Sequence, residues 1–152
     1  MIVDIEHFLS PADVVVGLRA SDKRAALQAL AGHMASKLNF SLHDVLNAVL
    51  SREELGSTGM GNGVAVPHAR LDAVTHPAGV LARLKHPIAF DAIDGHPVDL
   101  VFLLLLPTSP QGAQLNALAC VSRRLRDADV LMKARRASDS DAVYTAVTSR
   151  VA

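Results

Sequence analysis

Leu100-Val101-Phe102-Leu103-Leu104-Leu105-Leu106 is an unbroken apolar run with no polar position inside it. A strand with one wet face alternates apolar and polar side chains, so a run of this kind predicts a central strand covered on both faces. Helices must then pack on both sides of the sheet, which predicts an α/β fold. A membrane helix needs roughly 20 apolar residues, and this run falls well short, so no membrane insertion is expected.

Working outward, Ile88-Ala89-Phe90 and the Asp94-Gly95 turn predict a hairpin that leads into a strand from Val98 to Leu106. Upstream, Ala78 to Leu84 reads as a strand after the turn at His76-Pro77, and Val64-Ala65-Val66 as a short strand feeding Pro67 and His68. Val14-Val15-Val16, closed by Gly17, is the first strand. Between these, Ser21 is a candidate N-cap for a helix with Leu27, Leu30, Ala31, Met34 and Leu38 on one stripe. A second helix starts at Ser41, with Asp44 completing a weak capping box, and runs on Leu42, Val45, Leu46, Val49 and Leu50 until Gly56 breaks it. Arg52 therefore sits in the last turn of that helix. Past Pro107 and Pro110, Gln114 to Arg126 predicts a helix with Leu115, Leu118, Ser122 and Leu125 along its stripe. Two short helices follow, Val130 to Arg136 and Asp139 to Arg150, the second capped by Ser138 or Asp139. No repeat or low-complexity linker divides the chain, so residues 1–152 are read as one domain.

Composition narrows the function. Half the residues are hydrophobic and a fifth are charged, which excludes a disordered chain. Fifteen basic residues balance fifteen acidic ones, without the charge footprint of a nucleic-acid binder. The basic excess after Arg123 is read as a solvated helical face. Cys120 is the single cysteine, so no internal disulfide forms, and its apolar neighbours suggest a buried structural thiol in a reducing compartment. The acidic start, Met1-Ile2-Val3-Asp4-Ile5-Glu6, lacks the basic region of a signal peptide, and a cytoplasmic location is expected.

The chemistry concentrates in Arg52-Glu53-Glu54-Leu55-Gly56-Ser57-Thr58-Gly59-Met60-Gly61-Asn62-Gly63-Val64-Ala65-Val66-Pro67-His68-Ala69-Arg70. Four glycines at 56, 59, 61 and 63 predict a flexible polar loop that delivers His68 beside a rigid turn at Pro67. Such a loop suits a phosphoryl group bound to nitrogen: close backbone approach, small donors at Ser57, Thr58 and Asn62, and guanidinium groups at Arg52 and Arg70. Arg70 is divided between a solvated charge and a role in docking an acidic partner or the phosphoryl group. The loop is neither GxGxxG nor GxxxxGK[ST], which argues against nucleotide binding by those mechanisms. His76-Pro77, His86-Pro87 and His96-Pro97 recur at ten-residue intervals, yet no thiol or carboxylate cluster accompanies them at ligand spacing, so they are read as turn punctuation and no metal is expected.

This signature resembles that of the IIA domains of the fructose and mannitol class in the bacterial phosphoenolpyruvate phosphotransferase system, and most of all their free-standing nitrogen-regulatory members. The likeness extends over Phe8-Leu9-Ser10-Pro11 with Val14-Val15, over Pro87 to Leu100, and over Arg123-Arg124-Leu125. The resemblance implies a mixed central β-sheet flanked by helices on both faces, and a phosphoryl group taken from an HPr-like carrier or its nitrogen-branch counterpart. The family's active-site histidine aligns with His68 and its assisting arginine with Arg52. A second family histidine aligns with Gln114, whose amide donates a hydrogen bond but neither becomes cationic nor relays a proton; the neighbouring Asn116 should face elsewhere. The implied function is a stoichiometric histidine phosphocarrier with no cofactor, acting in nitrogen or metabolic regulation. The alternatives are a regulatory module that binds transporters or sensor kinases with weak onward transfer, and the IIA component of a sugar transporter.

Overall fold

The computed structural model describes residues 4–108 and 112–149; the side chains of 112–115 lie outside that description. Its strands are β1 (Val14–Leu18), β2 (Gly59–Gly61), β3 (Val64–Ala65), β4 (His68–Arg70), β5 (Ala78–Ile88) and β6 (Val98–Leu106). The helices are α1 (Lys23–Leu38), α2 (Leu42–Glu54), α3 (Gly112–Arg124), α4 (Ala128–Arg136) and α5 (Ser140–Thr148).

The strands form one mixed sheet in the order β1-β5-β6-β3-β2, with β4 also paired to β6. β1 runs parallel to β5, β5 antiparallel to β6, and β3 and β4 both parallel to β6. The apolar run is the middle of this sheet, and every residue from Leu100 to Leu106 is buried. Its side chains alternate between two cores. Val101, Leu103 and Leu105 join Leu27, Leu30, Met34, Val45 and Val49 of α1 and α2. Leu100, Phe102, Leu104 and Leu106 join Ala117, Val121, Val130 and Val143 of α3, α4 and α5. The period of two is intact; both sets are simply dry.

Several local expectations change. The cap of α1 is Asp22, whose Oδ1 accepts from the Ala25 N–H at 2.8 Å, in place of Ser21. Ser41 caps α2 as expected, and Asp139 rather than Ser138 caps α5. Among the described positions of α3, Ala117 and Val121 are buried while Leu118 and Ser122 are half-buried; Leu125 is buried just past the helix end, as expected, and the side chain of Leu115 lies outside the described residues. β5 is longer than expected and itself provides the hairpin partner, with Ile88 opposite Val98.

The glycine-rich segment departs furthest from expectation. It is a β-hairpin, β2 against β3, with Gly61 opposite Val64 and Asn62-Gly63 as the two-residue turn. Both turn residues have positive φ, 57° and 79°, the backbone that a two-residue hairpin of right-handed twist requires. The chain then breaks its pairing at Val66-Pro67 before β4 resumes alongside the same strand: Val64 lies opposite Leu100 and His68 opposite Leu104. Across the break the Leu104 N–H donates to the Pro67 carbonyl at 2.9 Å.

Candidate active site

His68 opens β4 and is held from below by its own chain. Its Nδ1 lies 2.9 Å from the Val66 carbonyl oxygen. A carbonyl only accepts, so Nδ1 carries the proton and the ring's lone pair resides on Nε2. The ring lines a cleft of about 340 Å³ together with Ala48 and Arg52 of α2, Ala69 and Arg70 of β4, Leu106 of β6 and Leu118 of α3. Ala48 and Arg52 stand one helical turn apart on α2, so one helix face supplies both the floor and the cation. Arg52 Nη1 donates to the Gly56 carbonyl at 2.9 Å, which braces the guanidinium across the end of its helix.

Burial pushes the His68 ring below the ordinary histidine value. The hydrogen bond to Val66 and the Glu53 carboxylate work against that fall, while Arg52 and Arg70 deepen it. The balance favours the uncharged ring, which is the nucleophilic form.

The structure therefore brings together His68, Arg52 and Arg70, and it gives the other three expected donors different work. Ser57 Oγ donates to the Phe90 carbonyl at 2.6 Å and accepts from the Gly59 N–H at 3.1 Å, tying the hairpin to the segment after β5. Thr58 is buried, with its Oγ1 donating to Glu53 Oε2 at 2.6 Å. Asn62 is exposed at the hairpin tip, where its N–H donates to Asp94 Oδ2 at 3.0 Å and its carbonyl accepts from Arg135. Val64 and His68 pair with positions four residues apart on β6, roughly 13 Å along the strand, and the tip lies beyond Val64. None of Ser57, Thr58 and Asn62 lines the cleft. Gln114 falls in the first turn of α3, one turn ahead of the cleft residue Leu118; its side chain lies outside the described residues.

Sequence reasoning missed Glu53. Val45, Val49 and Glu53 recur every fourth residue along α2 and are all buried, so an acid occupies the core-facing stripe. That spacing was the available signal. Among the described residues no group of three or more His, Cys, Asp or Glu side chains is arranged to hold a metal ion, and no helix is long and apolar enough to cross a membrane.

The family described as Phosphoenolpyruvate-dependent sugar phosphotransferase system, EIIA 2, matches residues 7–149. The chain belongs to that family. It is 40% identical over 141 residues to a nitrogen regulatory protein of Bradyrhizobium diazoefficiens, covering 93% of this chain and 92% of that one. The crystal structure of the nitrogen regulatory protein IIA-Ntr from Neisseria meningitidis superposes with a TM-score of 0.89 at 30% identity, covering 95% of this chain and 99% of the other. The IIA mannitol enzyme of Escherichia coli, solved in complex with phosphorylated IIB mannitol enzyme, shares the fold with a TM-score of 0.76 at 21% identity, over 93% of this chain and 98% of that one. The mixed sheet with helices on both faces is thus the fold of the IIA family.

Proposed function

We propose that this IIA protein accepts a phosphoryl group on Nε2 of His68 from a phosphorylated HPr-type carrier in the cytoplasm, and that the phosphorylation state is read out in nitrogen regulation. The observation that carries the proposal is the Nδ1 contact with the Val66 carbonyl, which commits the lone pair to Nε2 in a cleft lined by two guanidinium groups. In the transfer, the Nε2 lone pair attacks phosphorus as the P–N bond to the donor breaks, and the donor imidazole leaves with that electron pair. Positive charge developing on the His68 ring is shared with Nδ1–H, whose hydrogen bond strengthens as the ring becomes cationic. The bond made resembles the bond broken, so the protein's work is positioning and charge stabilisation. Arg52 is the clamp for the phosphoryl oxygens, with Arg70 as the second cation at the same cleft.

The nitrogen-regulatory reading is favoured over sugar transport by the relatives of similar length that carry that name. Gln114 in place of a second histidine fits a protein that holds its phosphoryl group as a state signal more than one that hands it on quickly.

Incubation with phosphoenolpyruvate, enzyme I and an HPr-type carrier tests the proposal. The expected product is one acid-labile, base-stable phosphoryl adduct that disappears in His68→Ala. Undiminished labelling of that variant, or no labelling by any cognate carrier, rules the proposal out.

A further inference from the structure

A ladder of hydrogen bonds leads from α1 to the reactive ring. Lys23 Nζ contacts Glu53 Oε1 at 2.8 Å and lies 4.8 Å from the centre of the Phe90 ring. Glu53 accepts from the Thr58 N–H on Oε1 at 3.3 Å and from Thr58 Oγ1 on Oε2 at 2.6 Å. The Thr58 carbonyl accepts from the Val66 N–H at 3.0 Å, and the Val66 carbonyl accepts from His68 Nδ1 at 2.9 Å. Each rung fixes the residue that carries the next. Glu53 is almost fully buried at the head of this ladder, and none of its bonds goes to the cleft directly.

We infer that Glu53 is a positioning residue for His68: by holding both donors of Thr58, it fixes the Val66 backbone and with it the Nδ1–H tautomer that leaves Nε2 free. The inference rests on His68 being the phosphoryl acceptor, and adds how its reactive nitrogen is chosen. The carboxylate accepts from both Thr58 groups and from the Lys23 ammonium at once. Glutamine can accept only on its single oxygen, so the Thr58 hydroxyl must turn round to accept from the new NH2 group and the Lys23 ammonium loses its charged partner, which loosens the ladder. Among the described residues Glu53 is the acidic group that raises the ring's pKa, against Arg52 from the same helix and Arg70 from β4, while α3 contributes the uncharged Leu118 to the cleft.

Nitrogen NMR of ring-labelled histidine reads the inference without any phosphoryl donor. In the wild-type protein His68 is expected as the Nδ1–H tautomer alone. In Glu53→Gln the spectrum shifts toward a tautomer mixture, the titration midpoint of the ring falls by about half a pH unit, and the rate of phosphoryl uptake drops about tenfold. Thr58→Val, which keeps the shape and removes the hydroxyl, should move the tautomer ratio the same way, and Thr58→Ser should restore it; this pair decides the matter if Glu53→Gln does not fold. A folded Glu53→Gln protein with wild-type tautomer ratio, midpoint and rate overturns the inference, as does a Thr58→Val protein with an unchanged tautomer ratio. Wild-type protein that shows the pure tautomer yet takes no phosphoryl group would instead defeat the acceptor role of His68, so the two failures are distinct.

Discussion

Arg52 donates to the Gly56 carbonyl at 2.9 Å while its guanidinium lines the cleft beside His68. One planar group thus braces the end of α2 and has further donors left for an incoming phosphoryl group. Arg52→Lys keeps the charge and loses the fork, and is expected to slow phosphoryl uptake by about tenfold; Arg52→Ala should cost about a hundredfold. Single-turnover labelling with a phosphorylated carrier measures both. If Arg52→Lys matches the wild type, bidentate contact plays no part.

The acidity of His68 gives a pH prediction with a definite sign. Burial lowers the folded-state value below the unfolded one, so the unfolded chain binds the proton first as pH falls through about 6.5. This group therefore contributes nothing unfavourable at pH 8 and costs stability progressively below about 6.5, down to its lower folded value. Denaturant midpoints between pH 8 and pH 5 should fall less steeply in His68→Gln than in the wild type. The same depression keeps Nε2 nucleophilic on the acid side of an ordinary histidine, so the acid limb of uptake should lie below about pH 6.5.

The hairpin that leads to the site depends on Gly63. Its φ of 79° already disfavours a side chain, and an added Cβ would lie 2.5 Å from Arg135 Nη2 and 2.9 Å from Asp99 Oδ1. Those two side chains are a bidentate ion pair, with Arg135 also holding the Asn62 carbonyl. Gly63→Ala is expected to destabilise by about 2 kcal/mol in equilibrium unfolding. A loss within experimental error would mean that the hairpin tip gives way freely.

Asp13 anchors the opposite end of the sheet. Burial works to raise its carboxyl, but hydrogen bonds from Lys37 and His33, at 2.6 and 3.1 Å, outweigh burial and hold it below the usual range. The stability it contributes is complete above about pH 4 and is lost as pH falls through the lower folded value. Asp13→Asn should cost about 2 kcal/mol at neutral pH and flatten the acid limb of the unfolding curve below about pH 4. An unchanged acid limb would show that the cluster carries no linked stability.

Gln114→His would return an imidazole to the first turn of α3, one turn ahead of Leu118. A cationic donor forms a stronger hydrogen bond to a phosphoryl oxygen than an amide does, and the exchange rate should rise about tenfold with carrier affinity little altered. Equal rates would show that the second histidine is dispensable in this protein.

How much of this was legible from residues alone varies from element to element. The β6 boundaries follow from the missing alternation, because a strand dry on both faces has no competing reading among its neighbours. Arg52 and His68 were legible as a pair because a helix end and a proline fix where each begins. The hairpin was not, since four glycines read as freedom when Asn62-Gly63 was a specific turn. Ser57, Thr58 and Asn62 were assigned to a ligand because small polar side chains in a loop look available. In the fold, Ser57, Thr58 and the Asn62 backbone are taken up by Phe90, Glu53 and Asp94. Glu53 was hidden for the converse reason: an acid beside an arginine at a helix end reads as solvated, and only its four-residue phase with Val45 and Val49 says otherwise.

Proline has no N–H, so the strand containing Val66-Pro67 cannot pair continuously with β6, and His68 hangs from the carbonyl just ahead of that gap. Yet the gap is stitched to Leu104, within the fully buried stretch of β6. The half-buried imidazole proposed as the phosphoryl acceptor is thus tied to the central strand. Fraying at the ends of α4 and α5 should leave the imidazole's orientation untouched, whereas opening of the last turn of α2, which carries Glu53, or melting of β6 should release it: exchange of the amides in those two places would then track the ring tautomer.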